Sequence, residues 1–196
     1  MVVGAGSQLG TASAELLAAE GVWVGVNDWS PTAAEKVAAR INEEGGSAQA
    51  FAADASKKLG FQSALEGLLE SRGKIDILLN ATSVKPNANL LDMDEWDWRR
   101  ALDLNLGAVF LSMQSVARVM QDLGGGIMVN LLDEAGEGNS AVYFSAAAAV
   151  EALSQAAAEE FGVYNIQVHW LRTNSSSESM GKALMPLLQA KAEGSG

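Results

Sequence analysis

Val3-Gly4-Ala5-Gly6-Ser7-Gln8-Leu9-Gly10 puts three glycines in a tight turn between a short apolar run and an amphipathic one. Without Cβ atoms, such a turn lets the backbone approach a pyrophosphate, whose charge meets the N–H groups opening the next helix. Asp28 lies 24 residues after Gly4, at the end of the next apolar run. A carboxylate there accepts from both ribose hydroxyls of an adenosine and repels a 2′-phosphate. A glycine turn alone is a weak sign, because any sharp strand-to-helix turn favours glycine. The turn and Asp28 together point to a bound dinucleotide, NAD in preference to NADP.

These residues need a scaffold, and the chain alternates short apolar runs with longer amphipathic ones. Strands are expected at Met1–Val3, Val22–Asn27, Ser47–Ala53, Ile75–Asn80, Ile127–Leu132 and Asn165–Leu171. Helices are expected at Thr11–Glu20, Pro31–Glu44, Phe61–Arg72, Asp94–Leu123, Ser140–Phe161 and Met180–Lys191. Ser30 before Pro31 is a helix start and Gly45 a stop. Six strands alternating with helices predict an α/β fold with a doubly wound parallel sheet. We expect one domain over 1–192 and a frayed tail over 193–196.

The 196 residues suit one domain, and 48% hydrophobic residues suffice for its core. A net charge of -11 repels nucleic acid. Zero cysteines exclude disulfides and thiolate zinc, and a single histidine, His169, argues against a histidine metal site, so no metal is expected. No basic leader and no long apolar span are visible, so the expectation is a cytoplasmic protein without membrane partners.

From Met1 to about Asn174 the chain resembles the short-chain dehydrogenase/reductase family. The glycine turn follows that family's T-G-x-x-x-G-x-G, with Val3 for threonine and Gln8 for the middle glycine. Asp54-Ala55 matches the acidic pair that flanks the adenine. The run Ile75–Ser83 matches the segment ending in N-N-A-G, with Asn80 kept. Leu104-Asn105-Leu106-Gly107 matches N-x-x-G, and Gly125–Asn130 and Asn165–Val168 match two later strands. The resemblance implies hydride transfer between NAD(P) and a carbonyl or alcohol. It makes Tyr143 the acid/base, Asn105 the water-holding residue, and Gly4, Gly6, Ser7, Gln8, Leu9, Gly10, Asp28, Asp54, Ala55 and Asn80 the cofactor-binding set.

Departures from the family pattern cluster where the chemistry would be. Asp133 stands in place of the catalytic serine and Ala147 in place of the lysine four positions after Tyr143. Thr173-Asn174 replaces P-G, the substrate loop shrinks to Ser175–Met180, and the family's last strand has no counterpart. With the clipped run at Met1–Val3, the sheet is expected to be truncated at its first and C-terminal strands. A phenol of pKa near 10 is only about one part in a thousand ionised at neutral pH. Losing a cation and gaining Asp133 push it further up. An ionised aspartate cannot donate to a carbonyl, and each loss costs on the order of several kcal/mol in the transition state.

The expected function is therefore that of an oxidoreductase with impaired catalysis. The alternative is a non-catalytic dinucleotide-binding or interaction subunit; a relocated site using Asp133 or Glu134 as base has no support. Asp133 and Glu134 read as solvated loop acids, Ser140 as a helix cap or a substitute for the lost serine, and His169 as packing. Trp96 and Trp98 fall on opposite sides of a helix start, one facing a partner or the core. The alanine-rich helix 140–161 reads as the interface of a homo-oligomer.

Overall fold

A computed structural model describes residues 1–134 and 141–193. Ser140 and the tail 194–196 lie outside the described residues. Six strands, β1 (Val2–Val3), β2 (Val24–Asn27), β3 (Ala48–Ala50), β4 (Ile77–Asn80), β5 (Gly126–Asp133) and β6 (Ile166–Thr173), form one sheet in the order β3-β2-β1-β4-β5-β6. Every pairing is parallel. The order reverses between β1 and β4, and a crevice opens there beyond the strands' carboxyl ends.

The helices are α1 (Gln8–Ala19), α2 (Pro31–Glu43), α3 (Lys58–Arg72), α4 (Glu95–Leu102), α5 (Ala108–Asp122), α6 (Ala141–Phe161) and α7 (Ser177–Glu193). Strand side chains alternate between two cores. Val3, Leu78 and Met128 meet Phe61 and Leu68 of α3, Val116 and Met120 of α5, and Val150 of α6. Val2, Leu79 and Val129 meet Leu17 of α1, Ile41 of α2, and Met180 and Leu184 of α7. The elements follow the expected alternation. Their ends differ: α1 starts earlier, at Gln8, because Ser7 caps it by accepting from Gly10 N–H at 2.9 Å. Ser30 caps α2 with Pro31 following, and Gly73 closes α3 in the left-handed conformation.

The long helical region is not uniform. Between α4 and α5 lies a π turn, Asp103–Gly107, with Asn105 inside it. Such single-turn insertions often fall at functional sites. Trp96 is 70% exposed and Trp98 half-buried. Asp133 is no loop acid: it ends β5 opposite Thr173 and bonds to Lys85.

Candidate active site

The glycine turn leaves β1 and enters α1 at the switch point. Gly4 has φ of +75°, a conformation glycine adopts without strain. A Cβ on Gly10 would lie 2.2 Å from Gly4 O, so α1 can pack this tightly on the turn only with glycine there. Ser7 accepts from the helix and donates from its hydroxyl to Ala81 O at 2.8 Å, tying the turn to the end of β4.

A cleft of about 330 Å³ opens beside this turn. Gly4, Gly6, Ser7 and Asp28 line one side, and Thr82, Ser83, Val84 and Leu104 line the other, with Trp29 and Ser30 at the rim. Asp28 is buried; its carboxylate accepts from Gly6 N–H and Ser30 N–H, each at 2.9 Å. Those two bonds fix the carboxylate at the end of β2 and leave further lone pairs for hydroxyls. Thr82 Oγ1 is buried without a hydrogen-bond partner among the described residues. A glycine cradle at a helix N-terminus, a fixed carboxylate and an orphaned hydroxyl fit a dinucleotide.

The remaining predicted residues do not line that cleft. Gln8 is exposed at the start of α1, while Leu9, Gly10 and Ala55 are buried packing. Asp54 faces α4: its carboxylate accepts from Ser56 N–H at 2.9 Å, the Ser56 hydroxyl at 2.6 Å and Arg100 at 3.0 Å. Burial alone would raise its pKa, but Ser56 and the Arg100 guanidinium outweigh that and hold it below the usual carboxylate range. Asn80 is buried in a polar chain beneath the crevice. It donates to Asn130 Oδ1 at 2.8 Å and accepts from Ser112 at 2.7 Å, while Asn130 donates to Ser154 at 2.9 Å.

Asn105 holds the loop after β4 from below. Its Oδ1 accepts from Val84 N–H at 2.8 Å and its Nδ2 donates to Val84 O at 2.7 Å. Beyond Val84, Lys85 Nζ donates to Asp133 Oδ2 at 2.6 Å and lies 4.8 Å from the centroid of the Tyr143 ring. Tyr143 is buried on the first turn of α6, with Ala147 buried below it. Asp133 N–H donates to the phenol oxygen at 2.7 Å, and the phenol donates to Asp133 O at 3.4 Å. Burial pushes the Tyr143 pKa up, and the Asp133 carboxylate adds to that. The Asp133 N–H, the Ser83 hydroxyl and Arg172 pull it partly back. Tyr143, Asp133, Ser83 and Lys85 thus meet at the carboxyl ends of β4 and β5, next to the cleft beside the glycine turn.

Sequence reasoning missed Trp29, Thr82, Ser83 and Lys85. Trp29 had a signal, an aromatic directly after the strand-ending acid. Lys85 had none, because its partner lies 48 residues away. A second cavity, of about 280 Å³, lies at the opposite end of the sheet beside Trp23 and Arg72, remote from these groups.

Residues 1–184 match the family described as short chain dehydrogenase. The short-chain reductase protein NovJ of Streptomyces niveus is 32% identical over 171 residues, covering 86% of this chain and 65% of its own length. The chain thus spans about two thirds of that relative's length. An NAD+-bound xylitol dehydrogenase structure superposes with a TM-score of 0.81 at 30% identity, covering 88% of this chain and 68% of its own. A gluconate 5-dehydrogenase from Burkholderia cenocepacia J2315, in complex with NADP and tartrate, gives 0.79 at 28%, covering 87% and 68%.

Proposed function

The chain belongs to the short-chain dehydrogenase family, and we propose that it binds NAD in preference to NADP and is an impaired oxidoreductase toward small carbonyls or alcohols. When bound, the dinucleotide supplies or accepts the hydride. The chain's own residues do the rest. The glycine turn and the α1 N-terminus receive the pyrophosphate, Asp28 the adenosine ribose, and Tyr143 Oη is the proton-exchanging atom. The observation that carries the impairment is that Asp133 binds the Tyr143 hydroxyl through its main chain while Ala147 leaves no cation on α6 below the phenol. A phenol so engaged exchanges its proton poorly with a substrate oxygen.

The test is equilibrium titration with NADH and NADPH, followed by NADH oxidation against small ketones and quinones. Expected are NADH binding tighter than NADPH and turnover far below 1 per second, the low end of ordinary enzymes at about 1–1000 per second. Tighter NADPH binding would refute the role of Asp28. Ordinary turnover would refute the impairment.

A second reading, a dinucleotide-binding partner subunit in the cytoplasm, draws on the surface. Ser145, Ala148, Ala152 and Ala156 are exposed along one side of α6, a smooth face on which a second copy of the helix would pack closely. Self-association through this helix is compatible with either reading. Dinucleotide binding without any turnover favours the second.

A further inference from the structure

The Tyr143 site holds a positive charge that its own helix does not supply. Lys85 reaches it from the loop after β4, and that loop is clamped by both hydrogen bonds between Asn105 and Val84. Side-chain exposure is 29% for Lys85 and 32% for Asp133, so their 2.6 Å contact is substantially shielded from water. Asp133 works as a joint. Its main chain holds the phenol oxygen, and its carboxylate holds the ammonium that lies over the phenol ring. We propose that Lys85 is the positioning cation of the Tyr143 site, acting through Asp133 to fix the hydroxyl and to balance the charge around it. This deepens the reading of Tyr143 as the proton-exchanging group and rests on it.

The physics follows from the charges that face the phenol. Asp133 comes from β5 and opposes phenolate. Arg172 comes from β6 and favours it, but is bound to Glu151 of α6. Lys85 comes from the third side. With Lys85 in place its ammonium offsets part of the Asp133 charge that the ring faces. Without Lys85 a bare carboxylate remains beside a buried phenol, and the proton is held harder. Without the Asp133 charge the ammonium stands alone over the ring and the proton is released more easily.

The chain has two tyrosines, so tyrosinate absorbance resolves the site directly. Tyr164 is 43% exposed and serves as the internal reference, and Tyr143→Phe assigns the steps. The titration is run on the dinucleotide-free protein, with circular dichroism followed alongside. Lys85→Met is expected to move the Tyr143 step to higher pH, Lys85→Arg to leave it with the parent, and Asp133→Asn to move it to lower pH. A purely structural Lys85 would not give opposite shifts for the two partners. A Tyr143 step that stays with the parent in Lys85→Met, as titration or as alkaline unfolding, overturns the proposal. If Lys85→Met does not fold, Asp133→Asn decides: a step that does not fall overturns it. Because no cofactor takes part, failure of dinucleotide binding leaves this result readable, and the two readings fail separately.

Discussion

Asp133 N–H donates to the Tyr143 hydroxyl, Asp133 O accepts from it, and the Ser83 hydroxyl is a further partner. Tyr143→Phe removes the partner of a half-buried N–H and is expected to cost about 1–3 kcal/mol of stability, read as a lowered urea midpoint with an unchanged slope. If stability is unchanged, those bonds carry no weight in the fold. Ala147 poses the reverse problem. It is 2% exposed, packed with Tyr143 and Val150. Ala147→Lys overfills this core and is expected to destabilise by roughly 1–3 kcal/mol. Asp133→Ser alongside it also frees the Lys85 ammonium, which then stands unpaired over the Tyr143 ring and eases proton release. The double variant is therefore expected to oxidise NADH faster than the parent against small ketones; a folded double variant that is no faster sinks this argument. Asp28 belongs to this scale too. Asp28→Asn keeps an acceptor for Gly6 N–H but loses the charge, and should weaken NADH binding about tenfold, or 1.4 kcal/mol, while narrowing the gap to NADPH in the same equilibrium titration.

At the scale of elements, the π turn is the device that couples helix to site. Widening the helix at Asp103–Gly107 turns Asn105 toward the loop after β4, where it binds both main-chain groups of Val84. Asn105→Ala strands the Val84 N–H and C=O and should lower the melting temperature. It should also weaken dinucleotide binding, because Thr82, Ser83 and Val84 line the cleft. A binding constant that survives Asn105→Ala would show that the clamp serves the fold alone. Strand and helix order was legible in the sequence because alternation, caps and stops are local. Ser30-Pro31 and Gly73 announce themselves by residue type. The π turn was not legible, since one extra residue in a hydrogen-bonded ring leaves no mark on the residue pattern. The glycine turn and Asp28 were legible because they belong to one βαβ unit. The Lys85–Asp133–Tyr143 cluster was hidden, because it forms only when β4 pairs with β5 in the register Asn80↔Asn130. Asp54 and Asn80 stand where a cofactor contact is expected by position, and their side chains bond Arg100 and Asn130, partners that position alone did not reveal.

The whole molecule is a six-stranded sheet covered on both faces, and its response to pH and salt reports on buried groups and net charge together. His169 lies on β6 with Nε2 buried and without a hydrogen-bond partner among the described residues, and that burial lowers its pKa below the ordinary 6.5. A lowered histidine pKa means that the unfolded chain takes up the proton first. The contribution of His169 is therefore intact above about 6.5 and shrinks as pH falls toward the lower folded value. Stability measured by urea at pH 7.5 and pH 5.5 should fall more in the parent than in His169→Gln; equal falls would remove His169 from the account. Self-association is the last test at this scale. Two copies that pair through α6 bring together chains of net charge -11 each. Their long-range repulsion is screened over about 10 Å at 0.1 M salt and about 3 Å at 1 M. Contact through Ala148, Ala152 and Ala156 is apolar and gains nothing from charge. Raising salt from 0.05 M to 0.5 M, on the order of a threefold change in screening length, should therefore strengthen association in sedimentation equilibrium. Ala156→Arg should weaken it at both salt concentrations by placing a long charged side chain in a close helix contact. Association that falls with salt would point instead to ion pairs as the glue, and a monomer at every concentration would leave the α6 face without a partner of its own kind.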